Sequence, residues 1–524
     1  MKNNAIKTVM ISVAMGVFGS ALYFSVTSKK ALSPYDTYAS LLAHTYRIGF
    51  TNLDQEISVK ALPIKGTIPS WLSGALLRNG PAQFSTKNSW ATNWFDGLAM
   101  IHAFSFDQGN VSYANAFLKT TNYQDVQRTG SMRYKGFVQD PCTSTFKRIL
   151  SLFIPKDRTT PSLPNANVNI TQYADRFVAL TETPLPIEFD PATLATVGGL
   201  SYNDQLPHRN IHDTAHPHYD PIRKEHVGYY TKFGRTSSVN LFTIKDGTTT
   251  RNIVASIPVQ EPSYMHSFAL TEHYAILSMI PLVANPLDFI LKDQAFIKNF
   301  TWKPERGTTL VVIDRINNKV VGSYPTLPFF TFHHVNAFEK NNQIIMDVIM
   351  YPNANVIFES LLSNILADEK DQAPLIDKTK LVRFTIDTTT EQVTHTILSK
   401  ELLELPRINY EQVNGKEYRY LYAFAQNKEH PIPYVSDFLL KMDVQTREVK
   451  KWTQPSCYPG EPVFIAAPNA QHEDDGVVVS VVLDASAERS FLLILDASTF
   501  TELGRAEVPH HIPYGVHGIY VTSQ

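Results

Sequence analysis

Four histidines of this chain lie in similar surroundings, each at the edge of an apolar run that is typical of a β-strand. They are His216, His266, His333 and His517. Neutral imidazole nitrogens suit iron, copper, zinc and nickel, so four rings that converged would bind a divalent transition metal. The four positions are far apart in the chain, and they meet only if the fold brings distant strands to one point.

One of these histidines has a histidine neighbour, since His333 and His334 are adjacent within residues 329–339. Apolar residues alternate along this segment, which predicts a β-strand. Neighbouring side chains on a strand point to opposite faces, so only one of the pair can face a given site. The pattern leaves open which one that is. It also leaves open a structural role, in which buried partners satisfy the ring nitrogens.

Three glutamates accompany the histidines, each next to a strand and a proline turn: Glu182, Glu404 and Glu461. A metal-bound histidine normally donates the proton of its second ring nitrogen to a carboxylate or a carbonyl. Taken singly, each glutamate also fits a turn or the surface. Together they could supply the negative charge that four neutral ligands lack.

Several common functions are not indicated. The chain has no phosphate-binding glycine loop, no dinucleotide fingerprint, no Gly-x-Ser-x-Gly elbow and no His-Glu-x-x-His helix. Its 47 lysines and arginines nearly balance its 49 aspartates and glutamates. Because no basic stripe is present either, nucleic acid is not an expected partner.

The elements that must position these residues are strands. The chain has 524 residues, of which 43% are hydrophobic, with 32 prolines and 23 glycines between strand-like runs. This composition predicts an all-β architecture, either a propeller or several sandwiches. In a propeller the inner strands of all blades approach one axis, so widely spaced histidines can meet there. Separate sandwiches would keep them apart.

The N-terminal region is predicted to lie outside the globular fold. Residues 8–27 are uncharged and mostly apolar, long enough to span a bilayer as a helix. We therefore interpret residues 1–30 as a signal-anchor, with a cleaved signal peptide as the alternative, and residues 31–54 as a linker. Residues 55–524 are expected to form a single domain.

Three further segments carry local predictions. Residues 143–154 have apolar side chains at helical spacing among basic residues, which fits a core helix or a membrane-surface helix. Residues 354–367 have a second amphipathic pattern, expected to pack in the core or against a subunit. Asp96 and Gly97 are expected to form a hairpin turn between two strands.

The sequence resembles the carotenoid cleavage oxygenase family over nearly the whole chain after about residue 55. The landmarks occur in the family's order: Leu-Arg-Asn-Gly-Pro (77–81), Trp-Phe-Asp-Gly (94–97), Thr-Glu-Thr (181–183), Thr-Ala-His-Pro-His (214–218), Tyr-Met-His-Ser-Phe (264–268), Phe-His-His-Val-Asn-Ala-Phe-Glu (332–339), Glu-Leu-Pro (404–406), Pro-Gly-Glu-Pro-Val-Phe (459–464), Glu-Asp-Asp-Gly (473–476) and His-Gly (517–518). The loop Asp-Pro-Cys (140–142) is similar to the branch that contains the animal β-carotene oxygenases and the retinal pigment epithelium isomerohydrolase.

The resemblance implies a seven-bladed β-propeller with loops and short helices capping one face. It implies one Fe(II) per chain on the propeller axis, held by His216, His266, His333 and His517, and so selects His333 from the adjacent pair. Glu182, Glu404 and Glu461 match the family's carboxylate partners of these ligands. Thr181 and Phe332 match positions close to the iron in an apolar tunnel. Residues 143–154 match a membrane-dipping region at the tunnel mouth.

The implied activity is cleavage of a carotenoid or apocarotenoid double bond by O2, giving aldehyde or ketone products of the retinal type. Alternatives within the family are a retinyl-ester isomerohydrolase and a stilbene-cleaving oxygenase. The non-enzymatic alternative is a propeller that binds apolar ligands without converting them. Because the polyene substrate is extremely apolar, we expect a protein at the membrane surface, held by the N-terminal anchor or exported after signal-peptide cleavage.

Overall fold

The computed structural model describes residues 45–522 except for 133, 135, 141–161, 207–209, 293, 367–378 and 429–434. The predicted anchor at 8–27 and the amphipathic segment 143–154 lie outside the described residues, as does Cys142. Within the described part of the chain, no helix is long and apolar enough to cross a membrane.

Seven antiparallel sheets follow one another along the chain and form the blades of a β-propeller. The strands are numbered in chain order. The first blade contains β1 (Ser58–Val59), β3 (Gly74–Gln83), β4 (Leu98–Asp107), β5 (Asn110–Phe117) and β34 (Gly518–Thr522). The second contains β6 (Asn169–Tyr173), β7 (Arg176–Leu180), β8 (Ile187–Phe189) and β9 (Thr196–Gly199). The third contains β10 (Ile211–Asp213), β11 (His218–Asp220), β12 (Glu225–Lys232), β13 (Ser237–Lys245) and β14 (Arg251–Val259).

The remaining blades have the same plan. The fourth contains β15 (Ala269–Leu270), β16 (Tyr274–Met279), β19 (Thr308–Asp314) and β20 (Lys319–Thr326), and β17 (Leu282–Ala284) pairs with β18 (Phe300–Trp302) as a separate ribbon. The fifth contains β21 (His334–Lys340), β22 (Gln343–Met350), β23 (Lys380–Asp387) and β24 (Gln392–Ser399). The sixth contains β25 (Leu402–Arg407), β26 (Tyr420–Gln426), β27 (Phe438–Asp443) and β28 (Val449–Trp452). The seventh contains β2 (Ile64–Gly66), β29 (Cys457–Pro459), β30 (Val463–Ala466), β31 (Gly476–Asp484), β32 (Arg489–Asp496) and β33 (Glu502–Glu507).

Strands from both ends of the described chain close the ring. β34 pairs antiparallel with β3 in the first blade, from Gly74 opposite Thr522 to Arg78 opposite Gly518. β2 pairs with β33 in the seventh blade. Each of these two blades thus combines N-terminal and C-terminal strands, which removes the free edges that an open ring would have. The predicted all-β, seven-bladed architecture is confirmed.

The helices are short and lie in the connections. The α-helices of the described part are Thr121–Thr129, Asp288–Leu291, Val356–Glu359, Leu362–Ile365 and Tyr410–Val413, and the 3₁₀-helices are Tyr46–Phe50, Trp94–Asp96, Ile297–Asn299 and Pro304–Arg306. The amphipathic segment 354–367 begins as two helices rather than one, since Leu361 is extended (ψ 130°) and bridges Asn93. Ile357, Leu362 and Ile365 are buried as the core-packing prediction requires, whereas Phe358 is 44% exposed.

The predicted hairpin turn at Asp96 and Gly97 is wrong. Residues Trp94–Asp96 form a 3₁₀-helix, begun by Asn93, whose Oδ1 accepts the N–H of Phe95 at 2.9 Å. Asp96 is almost fully buried, so it cannot occupy the exposed corner of a hairpin. A Cβ at Gly97 would lie 2.7 Å from Cβ of Pro81, and this close approach is why glycine is required there.

The packed body includes residues that the sequence placed in a linker. Phe50 and Leu53, within the predicted linker 31–54, are both buried. The Phe50 ring contacts that of Tyr514 edge-on, with centroids 4.9 Å apart. The apolar side chains of this segment explain its packing, because each gains about 1.5–3 kcal/mol on leaving water.

Candidate metal centre

The four histidines converge. His216 lies between β10 and β11, and His266, His333 and His517 lie shortly before the inner strands β15, β21 and β34. Nε2 of His216 is 2.9 Å from Nε2 of His266, and Nε2 of His333 is 3.1 Å from Nε2 of His517. One nitrogen from each ring lies within 4.8 Å of the others. Residues that lie just before or between the inner strands of different blades thus form one cluster on the inner side of the ring.

The adjacent histidine His334 is not part of this cluster. Its Nδ1 lies 2.8 Å from Oγ of Ser267, and its Nε2 lies 2.8 Å from Oγ of Ser278. Both ring nitrogens are therefore satisfied by neighbouring blade residues, as a buried polar group requires. His333 turns the other way, as the alternation of side chains along the segment predicts.

Each of the three glutamates holds one ring of the cluster. Nδ1 of His266 is 2.6 Å from Oε1 of Glu182, Nδ1 of His333 is 2.6 Å from Oε2 of Glu404, and Nδ1 of His517 is 2.7 Å from Oε1 of Glu461. These contacts orient the rings and fix the proton on Nδ1. For His216 the described residues supply no carboxylate, and its backbone N–H donates to Oγ1 of Thr214 at 3.0 Å.

The glutamates are held by groups that the sequence pattern did not indicate. Tyr264 donates its hydroxyl to Glu182 at 2.8 Å, and Tyr351 donates to Glu404 at 2.6 Å. Glu461 accepts from Nε of Arg407 at 2.8 Å and from Nη1 of Arg78. Tyr264 and Arg78 lie within the family landmarks, whereas Tyr351 and Arg407 carry no sequence signal.

Electrostatics keep these carboxylates ionised. Burial raises the pKa of Glu461, but Arg407, His517 and Arg78 outweigh it and hold that pKa far below its usual value. The pKa values of Glu182 and Glu404 are lowered in the same sense, because neighbouring histidines and hydrogen bonds outweigh burial. An ionised carboxylate only accepts hydrogen bonds, so the proton in each contact belongs to histidine Nδ1.

The donor set fits a cation. Burial lowers the pKa values of His216, His266 and His517, so these rings are neutral at neutral pH. With Nδ1 protonated, Nε2 of His333 and Nε2 of His517 both present lone pairs across 3.1 Å. That contact is repulsive unless a positive charge lies between them. A cation held by both nitrogens would remove this repulsion, and imidazole nitrogens suit a divalent transition metal.

An apolar cavity of about 320 Å³ ends at the cluster. Its lining includes His266 and His333, and also Thr181 and Phe332, the two residues that the resemblance placed in a tunnel. One side, which we call the aromatic wall, consists of Phe95, Phe137, Tyr264, Phe296 and Phe332. These rings touch one another, with Phe137 6.0 Å from both Phe95 and Tyr264 between centroids. Such a lining suits a long apolar ligand.

Comparison with known proteins identifies the family. The family model described as retinal pigment epithelial membrane protein matches residues 50–522. The chain is 31% identical over 512 residues to the mitochondrial carotenoid-cleaving dioxygenase of Macaca fascicularis, covering 87% of this chain and 91% of the relative. It is 32% identical over 531 residues to the human β,β-carotene 15,15′-dioxygenase, covering 90% and 94%. The chain belongs to the carotenoid cleavage oxygenase family. The family suggested by the sequence landmarks is thereby confirmed, and with it an enzyme.

Solved structures of carotenoid cleavage oxygenases have the same fold. A cobalt-substituted apocarotenoid oxygenase of Synechocystis superposes with a TM-score of 0.79 at 27% identity, covering 94% of this chain and 99% of that one. A chimera of this oxygenase with the retinal pigment epithelial protein gives a TM-score of 0.80 at 27% identity, covering 94% and 99%. The similarity therefore extends over whole chains, and not over single blades.

Proposed function

We propose that this oxygenase cleaves a double bond of a carotenoid or apocarotenoid with O2, using one Fe(II) per chain. In the balanced reaction the C=C bond breaks and each carbon takes one oxygen atom of O2, which gives two carbonyl products. His216, His266, His333 and His517 would hold the ion, whose role is to activate O2. The apolar cavity that ends at His266 and His333 is the observation that carries the proposal.

The residues of the chain would position the substrate and the metal ligands. The aromatic wall would hold the polyene by apolar and edge-to-face contacts and would keep water away from the reacting carbons. Thr181 and Phe332 line the same cavity as His266 and His333, so they would set which double bond lies next to the centre. Glu182, Glu404 and Glu461 keep three rings oriented and their Nδ1 atoms protonated. The reaction needs no general base, which agrees with the absence of a catalytic triad motif.

The test is aerobic incubation of the iron-loaded, detergent-solubilised protein with β-carotene and several apocarotenals. We expect aldehyde products, identified by chromatography and mass spectrometry, whose chain lengths name the cleaved bond. His333→Ala should abolish them. His395→Ala, which removes an exposed histidine on β24, should retain them. If no polyene is consumed at full iron occupancy, the proposal is contradicted. Incubation with retinyl esters and with stilbenes would then distinguish the alternative reactions from binding alone.

We propose, as a separate point, that residues 8–27 hold the enzyme at a membrane from which it takes its substrate. The length and apolarity of this segment support the proposal, and so does the low solubility expected of a polyene. Fractionation of cells expressing the full chain, or a chain without residues 1–30, tests it. Retention in the membrane fraction by the full chain alone is expected. Secretion of a shortened protein would instead support cleavage of a signal peptide.

A further inference from the structure

A second cavity reaches the histidine cluster. It has a volume of about 590 Å³, and its lining includes His216, His333 and His517. Other residues of its lining, among them Glu411, Ala466 and Thr522, are exposed, so the cavity opens to solvent. We call it the axial cavity, because inner-strand residues from several blades line it. Only His333 among the four histidines lines both this cavity and the apolar one.

The two cavities differ in chemistry. The axial cavity has more polar surface than the apolar cavity, from side chains such as Asn169, Thr171 and Asn409, although Val335 and Phe464 also line it. Its charged side chains are Glu411 at the exposed end and the ion pair of Glu461 with Arg407 beside His517. The apolar cavity has the aromatic wall, and its carboxylates are Asp96 and the two glutamates that hold His266 and His333. The axial cavity is thus the more polar route, and the apolar cavity offers the ring surface that a hydrocarbon needs.

A hydrated divalent ion discriminates strongly between such entrances. Moving an ion into an apolar environment removes its water without replacing it, which is among the most unfavourable transfers in protein chemistry. Oxygen and nitrogen groups along the axial cavity can replace water molecules one at a time, so that the ion is never bare. A polyene has the opposite preference, and it gains free energy from the aromatic wall.

We propose that the metal enters and leaves the finished protein through the axial cavity, while the substrate uses the apolar cavity. The proposal rests on the function proposed above only in assigning the four histidines as metal ligands. It assigns Thr171 on β6, which lines the axial cavity, to the metal's route. A bound polyene would therefore not block exchange of the metal.

The test measures Co²⁺ uptake by the metal-free full-length protein from the visible absorbance of the bound ion, so it needs no turnover. Two matched pairs of variants place a charge in one cavity at a time. Thr171→Lys and Thr171→Met have side chains of similar length and differ in charge within the axial cavity. Asn122→Lys and Asn122→Met do the same in the apolar cavity, since Asn122 lines it and is half-buried.

We expect uptake by Thr171→Lys to be at least tenfold slower than by Thr171→Met, because a fixed positive charge repels the ion along its path. The two Asn122 variants should take up Co²⁺ at equal rates. A difference within the Asn122 pair, or equal rates within the Thr171 pair, would overturn the proposal. Circular dichroism and equal final occupancy establish that each variant is folded.

A preliminary titration separates this proposal from the proposed activity. Wild-type protein should bind one Co²⁺ per chain, and His333→Ala should lose that binding. Absence of binding in the wild type would overturn both the centre and its route. Normal binding with the expected uptake rates, but without polyene cleavage, would leave the route standing and contradict only the cleavage reaction.

Discussion

At the scale of single residues, Glu461 has two roles. It orients His517 at 2.7 Å, and it is the shared carboxylate partner of the guanidinium groups of Arg78 and Arg407. Its side chain is 1% exposed and that of Arg78 is 6% exposed. Glu182, by contrast, pairs with His266 and accepts the hydroxyl of Tyr264, and no arginine among the described residues pairs with it. The same substitution should therefore have different consequences at the two positions.

We predict that Glu461→Gln lowers both metal affinity and stability. Metal affinity should fall about 10- to 100-fold, because His517 loses its ionic partner. The free energy of unfolding should fall by about 3–5 kcal/mol, because the amide leaves two guanidinium charges without a buried counter-charge. Co²⁺ titration and urea unfolding of the metal-free protein measure the two effects separately.

Glu182→Gln is the matched comparison. It should lower metal affinity by a similar factor of about 10–100, with a much smaller loss of stability in the metal-free protein, since no arginine is left unpaired. Equal destabilisation by the two variants would show that the arginines do not depend on Glu461.

The structure brings together the four histidines and the three glutamates that the sequence motifs singled out. Strand alternation separates His333 from His334 but cannot say which one faces the axis. That choice depends on Ser267 and Ser278, which come from the neighbouring blade and satisfy His334. Arg407 was missed for a similar reason, since its contact with Glu461 joins residues 54 positions apart.

At the scale of elements, Asp96 ties a loop to the apolar cavity. Its carboxylate accepts the backbone N–H groups of Phe137, Val138 and Gln139 at 2.6, 3.1 and 2.9 Å. Phe137 belongs to the aromatic wall, so the 3₁₀-helix Trp94–Asp96 positions one side of the cavity through this carboxylate. Gly136 packs against it so closely that a Cβ there would lie 2.1 Å from Oδ1 of Asp96.

We predict that Gly136→Ala lowers kcat/KM for polyene cleavage about 100-fold, because it displaces Phe137 from the wall. Metal binding should be unchanged, since the histidines lie on other elements. Gly234→Ala is the control, as no atom lies within 4 Å of a Cβ at that position. A parallel loss of Co²⁺ binding in Gly136→Ala would show that the loop and the centre are not independent.

The presence of a strand could be predicted from the sequence better than its bounds. The alternating segment 329–339 does contain a strand, but β21 begins only at His334 and ends at Lys340. The connections could not be predicted in the same way. The 94–97 segment resembles a hairpin in its residue types, and only the buried partners of Asp96 make it a 3₁₀-helix. The break at Leu361 likewise follows from its bridge to Asn93.

At the scale of the whole molecule, buried neutral histidines make stability depend on pH. Burial, with the nearby charges of His510 and Arg78, lowers the pKa of His102 to about 3. Burial likewise lowers the pKa values of His226 and His511 to about 4. In the unfolded chain the pKa of a histidine is about 6.5. These groups therefore contribute stability that is complete above that pH and is lost as pH falls toward their folded values.

We predict that the metal-free protein loses stability between about pH 7.5 and about pH 5, with His102 alone accounting for about 2 kcal/mol. The measurement is urea unfolding at several pH values. His102→Gln should have a shallower pH dependence, whatever its stability at neutral pH. Parallel pH profiles for wild type and variant would show that His102 is not buried in its neutral form.

The global architecture was predictable only in part from local pattern. Turn residues and alternation indicate an all-β chain but do not count blades, because a blade and half of a sandwich have the same strand pattern. The blade number came from the family landmarks. The pairing of β2 with β33 and of β34 with β3 joins segments from opposite ends of the chain, and no local signal encodes it.

Ring closure has a consequence for the order of events during synthesis. His517 immediately precedes the closing strand β34, and it is translated 184 residues after His333. A nascent chain therefore exposes three of the four rings long before the last one exists, and it cannot assemble the complete centre on the ribosome until the first and last blades are joined. In the proposed enzyme, the metal would therefore reach a complete set of ligands only after the ring has closed.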